Sequence, residues 1–222
     1  MVRYLWISLL AALLLTGPTP QAQAEPSISP FIKELEKLEG DPDKQALFKR
    51  ISSPKSQDEY TQTLDWLKKR VFEGAESRYA LIYSHLLFQH PKLQDTAGFM
   101  WIYGRLLMRT DGARCQNKTA AASHIKNTEP QFEKINKFFI NLPLETKTAV
   151  MKAALNMEHM FKKRPANAWI CSGGKKSLQG KDKTTQAKLI DFDTWQKRRD
   201  KIRQSIRKAY LDGDQPEANP YK

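Results

Sequence analysis

Two cysteines, Cys115 and Cys171, carry the most definite chemistry in this 222-residue sequence. They lack the CxxC spacing of redox and zinc sites, and an even pair outside the cytosol reads as a structural disulfide. Such a bond would close a loop of about 57 residues and stabilise the fold by about 4 kcal/mol through chain entropy. Two free thiols, one of them a nucleophile, form the competing reading, but the sequence shows no basic helix start or paired histidine to activate one.

The histidines are His85, His90, His124 and His159. No two of them have the i, i+4 spacing with an intervening glutamate that makes a zinc hydrolase, and structural or surface roles account for all four. Met151, Met157, His159 and Met160 lie on neighbouring turns of one predicted helix. Thioethers with an imidazole would suit Cu(I), although methionine in an apolar stripe more simply fills gaps in a core. Glu73 and Glu76 at a helix junction are the best carboxylate pair for acid/base work, which requires one buried partner with a raised pKa; acidic residues in a helix's first turn are expected for capping and dipole reasons alone. Asn117-Lys118-Thr119 matches a glycosylation acceptor of eukaryotic secretory pathways. Neither a serine nucleophile elbow nor a phosphate-binding or dinucleotide glycine loop is present, so the sequence points to no catalytic residue, metal or cofactor.

Charge is the stronger surface signal. The chain carries a net charge of +13. Residues 25–161 hold 20 Lys and Arg against 17 Asp and Glu, whereas residues 162–208 hold 15 against 4. Within that segment Lys197, Arg198, Arg199, Lys201, Arg203, Arg207 and Lys208 surround a stripe of Trp195, Ile202, Ile206 and Tyr210. A basic amphipathic helix of this kind can lie on an anionic membrane or dock on an acidic partner. Its plainer reading is a wet charged face whose stripe packs on the core. Nucleic acid is a poor partner for an exported protein, though charge alone permits nonspecific binding.

The N-terminus supplies the compartment. A single Arg3, an apolar run from Leu5 to Leu15 and the small-residue site Ala22-Gln23-Ala24 read in order as a signal peptide cleaved after Ala24. About 11 apolar residues are too few to span a hydrocarbon core as a helix, which takes roughly 20. The mature chain of 198 residues is then expected in the periplasm or secreted, with no transmembrane segment after cleavage.

Helical periodicity runs through the rest. Ser29 and Pro30 start a helix with Phe31, Ile32, Leu35 and Leu38 inward, and Gly40 stops it. Asp41-Pro42 gives a second start, for a short helix that ends before Pro54. Further helices are predicted over residues 57–72, closed by Gly74, over 75–89, and over 95–109. The last of these is apolar nearly all round and should be central. Residues 116–128 are ambiguous, with at most a short helix over 120–125. Pro130 and Pro143 open helices, the second over 144–163, and a final helix spans 191–211. The organisation is a helical core domain over 25–163, an irregular basic segment over 164–190 pinned at Trp169 and Cys171, the basic helix, and a tail over 212–222.

Residues 57–109 resemble a tetratricopeptide-type array of helical hairpins. Trp66-Leu67, Gly74, Ala75-Glu76, Tyr79, Leu81, Pro91, Trp101 and Gly104 carry the resemblance, with Trp66 and Trp101 separated by 35 residues against the family's 34-residue period. It implies a helical-repeat fold that binds protein; unrelated antiparallel helices obeying common packing rules give the same pattern. The expected fold is all-α, one domain of six to eight helices. The leading functional expectation is a non-enzymatic interaction or scaffold protein of the bacterial cell envelope. The alternative is a binder of acidic lipid or lipopolysaccharide through the basic helix.

Overall fold

A computed structural model describes residues 28–41, 44–172 and 188–211; the expected signal peptide, the expected tail over 212–222 and most of the expected irregular segment lie outside them. Helix α1 (Pro30–Glu39) starts as its residues dictate, with Ser29 Oγ accepting from the Ile32 amide at 3.1 Å and Pro30 in the first turn. Helix α2 (Gln45–Ile51) starts later than Asp41-Pro42 indicates, after Lys44 at φ 52°. Helix α3 (Gln57–Phe72) is capped by Ser56 Oγ, which accepts from the Glu59 amide at 3.1 Å. Gly74 then takes the left-handed turn at φ 85°, and a Cβ there would lie 2.7 Å from the Phe161 ring. The turn thus demands glycine for backbone and for space.

Helix α4 (Ser77–Phe88), a 3₁₀ turn (Pro91–Leu93) and α5 (Gln94–Gly112) follow. Helix α5 is central, as its all-round apolar character predicts: α4, α6, α7, α8 and the last helix all pack on it. Helix α4 approaches α5 tightly at Gly104, where a Cβ would come 2.9 Å from Leu81 Cδ2.

Helix α6 (Lys118–Thr128) is longer than residues 116–128 advertise. Asn117 Oδ1 caps it through the Thr119 amide at 3.0 Å, and Ala121 and Ile125 are buried against α5. Tertiary burial here outweighs weak local periodicity. A 3₁₀ turn (Glu129–Phe132) leads to α7 (Glu133–Ile140), then α8 (Leu144–Met160). Helix α9 (Phe192–Leu211) begins where Asp191 Oδ1 accepts from the Thr194 amide at 2.8 Å.

No strand occurs among the described residues, and the fold is all-α. Between α8 and α9 the chain returns twice to the residues just after α5. Cys171, in a 3₁₀ turn (Ala168–Cys171), is disulfide-bonded to Cys115 with Cα atoms 5.3 Å apart. The Gln116 amide donates to the Lys188 carbonyl and the Ile190 amide to the Arg114 carbonyl, each at 2.9 Å. One apolar core runs unbroken from Phe31 in α1 to Tyr210 in α9. No described helix is long and apolar enough to cross a membrane.

Candidate functional site

The α8–α9 face gathers the basic residues, and a buried carboxylate arranges them. Helix α9 turns Trp195, Arg199, Ile202, Ile206 and Tyr210 into the core. Arg199 sits four residues after Trp195 and three before Ile202, so at about 100° per residue it falls on the apolar stripe. It is 2 % exposed, which corrects its expected place among the outward cations.

Its partner is Glu158 on α8, itself fully buried. Glu158 accepts a two-pronged pair from Arg199, Nε at 2.7 Å and Nη2 at 2.6 Å. Arg203 Nη1 adds a third hydrogen bond, and Arg164 Nη1 lies 3.7 Å away. Burial alone would raise the Glu158 pKa; the Arg199 hydrogen bonds and the charges of Arg199, Arg164 and Arg203 outweigh it and hold the carboxyl below its usual value. Arg164 also pairs with buried Asp111 at 2.7 Å, and Asn167 donates to the other Asp111 oxygen at 2.9 Å. Arg114 lies 3.9 Å over the Trp195 ring, whose Nε1 donates to the Thr110 carbonyl at 2.7 Å. Burial pushes the Arg114 guanidinium down from its ordinary pKa. At the far end, Tyr210 accepts from Arg105 and donates to Asn136 Oδ1 at 3.0 Å.

This network withdraws part of the basic set from the surface. Besides Arg199, Arg203 is drawn inward, Nη1 also donating to the Leu155 carbonyl at 2.9 Å, and Arg198 leans on the Cys115 carbonyl at 3.4 Å. Lys197, Lys201, Arg207 and Lys208 remain exposed. Lys197, Lys201 and Lys208 share one outward face of α9, at the i, i+4, i+11 spacing.

Beside this lysine ridge lies a groove of about 400 Å³ between α8 and α9. Met151, Leu155 and Leu211 supply apolar surface, Lys152, Arg203 and Arg207 supply cations, and Thr148 and Asn156 complete the lining. No acidic side chain lines it. Sequence reasoning passed over Glu158, Asp111 and Arg114. The available signal was a carboxylate seven residues after Met151, on the inward face of α8.

The remaining candidates do not converge. His85, His90 and His159 are exposed, while His124 is half-buried with its ring 5.1 Å from that of Trp169. Burial, with the Arg78 charge, lowers the His124 pKa. Met151 and Met157 are in the core whereas Met160 is 69 % exposed, so the thioethers of the proposed Cu(I) set face different surroundings. No described group of three or more His, Cys, Asp or Glu side chains is arranged to hold a metal. Glu73 pairs with Arg70 at 3.2 Å near the surface, and Glu76 pairs with Arg78 at 2.5 Å in a buried position. Burial raises the Glu76 pKa against the pull of Arg78. Each carboxylate thus has its own arginine. No family model, curated protein or solved structure matches this chain.

Proposed function

We propose that this protein is an exported, non-enzymatic binder of anionic envelope lipid, acting through the basic face of α9. The observation that carries the reading is the division of labour along that helix. Arg199 and Arg203 are spent on Glu158, while Lys197, Lys201 and Lys208 stand exposed together on one face. A lysine ridge held on a folded body loses little conformational freedom of its backbone when it meets a charged surface. At about 1 kcal/mol per basic residue near an anionic leaflet, three lysines account for roughly a 100-fold gain in partitioning.

Vesicle sedimentation tests this. Mature protein should sediment with phosphatidylglycerol vesicles at low salt, not with phosphatidylcholine ones, and lose binding as salt screens the charges. Charge reversal by K197E, K201E and K208E together should weaken sedimentation by at least about 100-fold. Absence of sedimentation at low salt would exclude the reading.

The exposed apolar side chains Phe72, Leu144, Met160 and Phe192 favour a second reading, a protein partner held by the helical array that residues 57–109 suggest. Crosslinked pull-down from envelope extract, repeated with alanine at Leu144 and Phe192, distinguishes it: a defined partner lost on those changes supports protein docking.

A further inference from the structure

The groove beside the ridge has a chemistry that peripheral adsorption does not use. Its lining combines three cations and three apolar side chains with no carboxylate among them. Helix α9 runs back along α8, since Arg199 and Arg203 meet Glu158 near the α8 C-terminus while Leu211 shares the groove with Thr148 near its start. The inner end therefore abuts the buried ion pairs of Glu158. The outer end leads toward Leu144, one turn before Thr148 on the same face of α8 and 60 % exposed.

We propose that this groove is a stoichiometric site for a single-chain anionic phospholipid, with the chain along Met151, Leu155 and Leu211 and the phosphate among Lys152, Arg203 and Arg207. The proposal rests on the reading above that anionic lipid is the partner, and it names the molecular species. Three observations select that occupant. The volume, about 400 Å³, holds on the order of a dozen groups of about a water's size, roughly 30 Å³ each, which suits one chain and not two. The cations match a phosphate, and Glu158 and the Leu155 carbonyl engage only Nη1 of Arg203, whose guanidinium has five N–H donors. Finally, apart from the last carbonyls of α9 around Leu211, the walls are helices whose backbone groups are already hydrogen-bonded within the helix, and the Thr148 hydroxyl already donates to the Leu144 carbonyl at 2.8 Å. A peptide would bring amides with few partners here, whereas an acyl chain brings none.

The probe is lauroyl lysophosphatidylglycerol below its micelle concentration, with native mass spectrometry for stoichiometry and titration calorimetry for affinity. A one-to-one complex is expected. Thr148→Trp, which fills the groove from an exposed position, and the pair K152E with R207E should each weaken it at least about 10-fold, with the helical circular dichroism unchanged. The ridge variant K197E/K201E/K208E should leave the complex intact, and Thr148→Trp should leave vesicle sedimentation intact. Equal binding of inorganic phosphate or of an uncharged lauryl maltoside overturns the proposal, as does an unaltered affinity in Thr148→Trp. For the unmutated protein, sedimentation with anionic vesicles but no one-to-one complex refutes the groove alone, and a one-to-one complex without sedimentation refutes the ridge alone.

Discussion

Glu158 shows how one side chain decides the placement of several others. It is buried with Arg199 on two prongs and Arg203 on a third, and removing its charge strands guanidiniums in the core. Glu158→Gln is expected to cost about 3–5 kcal/mol, the usual penalty for breaking a buried pair on one side, measured by urea unfolding. Because the folded pKa lies below the usual 4.5, the stabilisation is complete above that value. It is lost as pH falls through the folded pKa, so wild type and variant should converge in acid. Glu76 has the opposite sign. Its folded pKa is raised by burial, so its contribution is full below the unfolded value and declines as pH rises through the folded one. Glu76→Gln should therefore raise the urea midpoint at neutral pH and leave it nearly unchanged in acid; a lower midpoint at neutral pH would show that the Arg78 pair outweighs desolvation.

Among the elements, α5 sets the order of packing and glycine sets its tightness. Gly104 lets α4 approach until Leu81 would lie 2.9 Å from an added Cβ, with the Leu81 amide nitrogen at 3.2 Å. Gly104→Ala would gain about 1 kcal/mol of helix propensity and should still lose stability, because overpacking costs about 1–3 kcal/mol. Thermal unfolding checks the sign. The Cys115–Cys171 bond ties the Ala168–Cys171 turn to the end of α5, beside the bridge through Leu189 that leads into α9. Cys171→Ser should cost up to about 4 kcal/mol, and reduction of the wild type should reproduce the loss. An unchanged melting temperature would show that the pairing and packing around Trp195 suffice without it.

For the molecule as a whole, α9 is part of the core and not an appendage. Trp195, Ile202, Ile206 and Tyr210 are buried in the same cluster as α1. At about 2 kcal/mol per buried large apolar side chain these four amount to roughly 8 kcal/mol, comparable to the total stability of an ordinary domain. A chain ending at Ile190 should accordingly fail to fold cooperatively, seen as a broadened urea transition and strong binding of a hydrophobic dye. A sharp transition would mean that the first eight helices form a self-sufficient body.

Residue type and spacing by themselves determined the all-α class, most helix boundaries, the central position of α5 and the cysteine pair. Those features follow from local periodicity, capping residues and a simple count, all carried by near neighbours in the chain. Ser29, Ser56 and Gly74 act where they stand. Only the tertiary structure decided which carboxylate Arg199 and Arg203 meet, the full length of α6, and the groove against α8. Spacing puts Arg199 on the apolar stripe and Lys201 off it, but nothing local shows whether a buried carboxylate awaits a guanidinium there. That depends on Glu158, more than forty residues away in the chain and brought within 2.7 Å by folding.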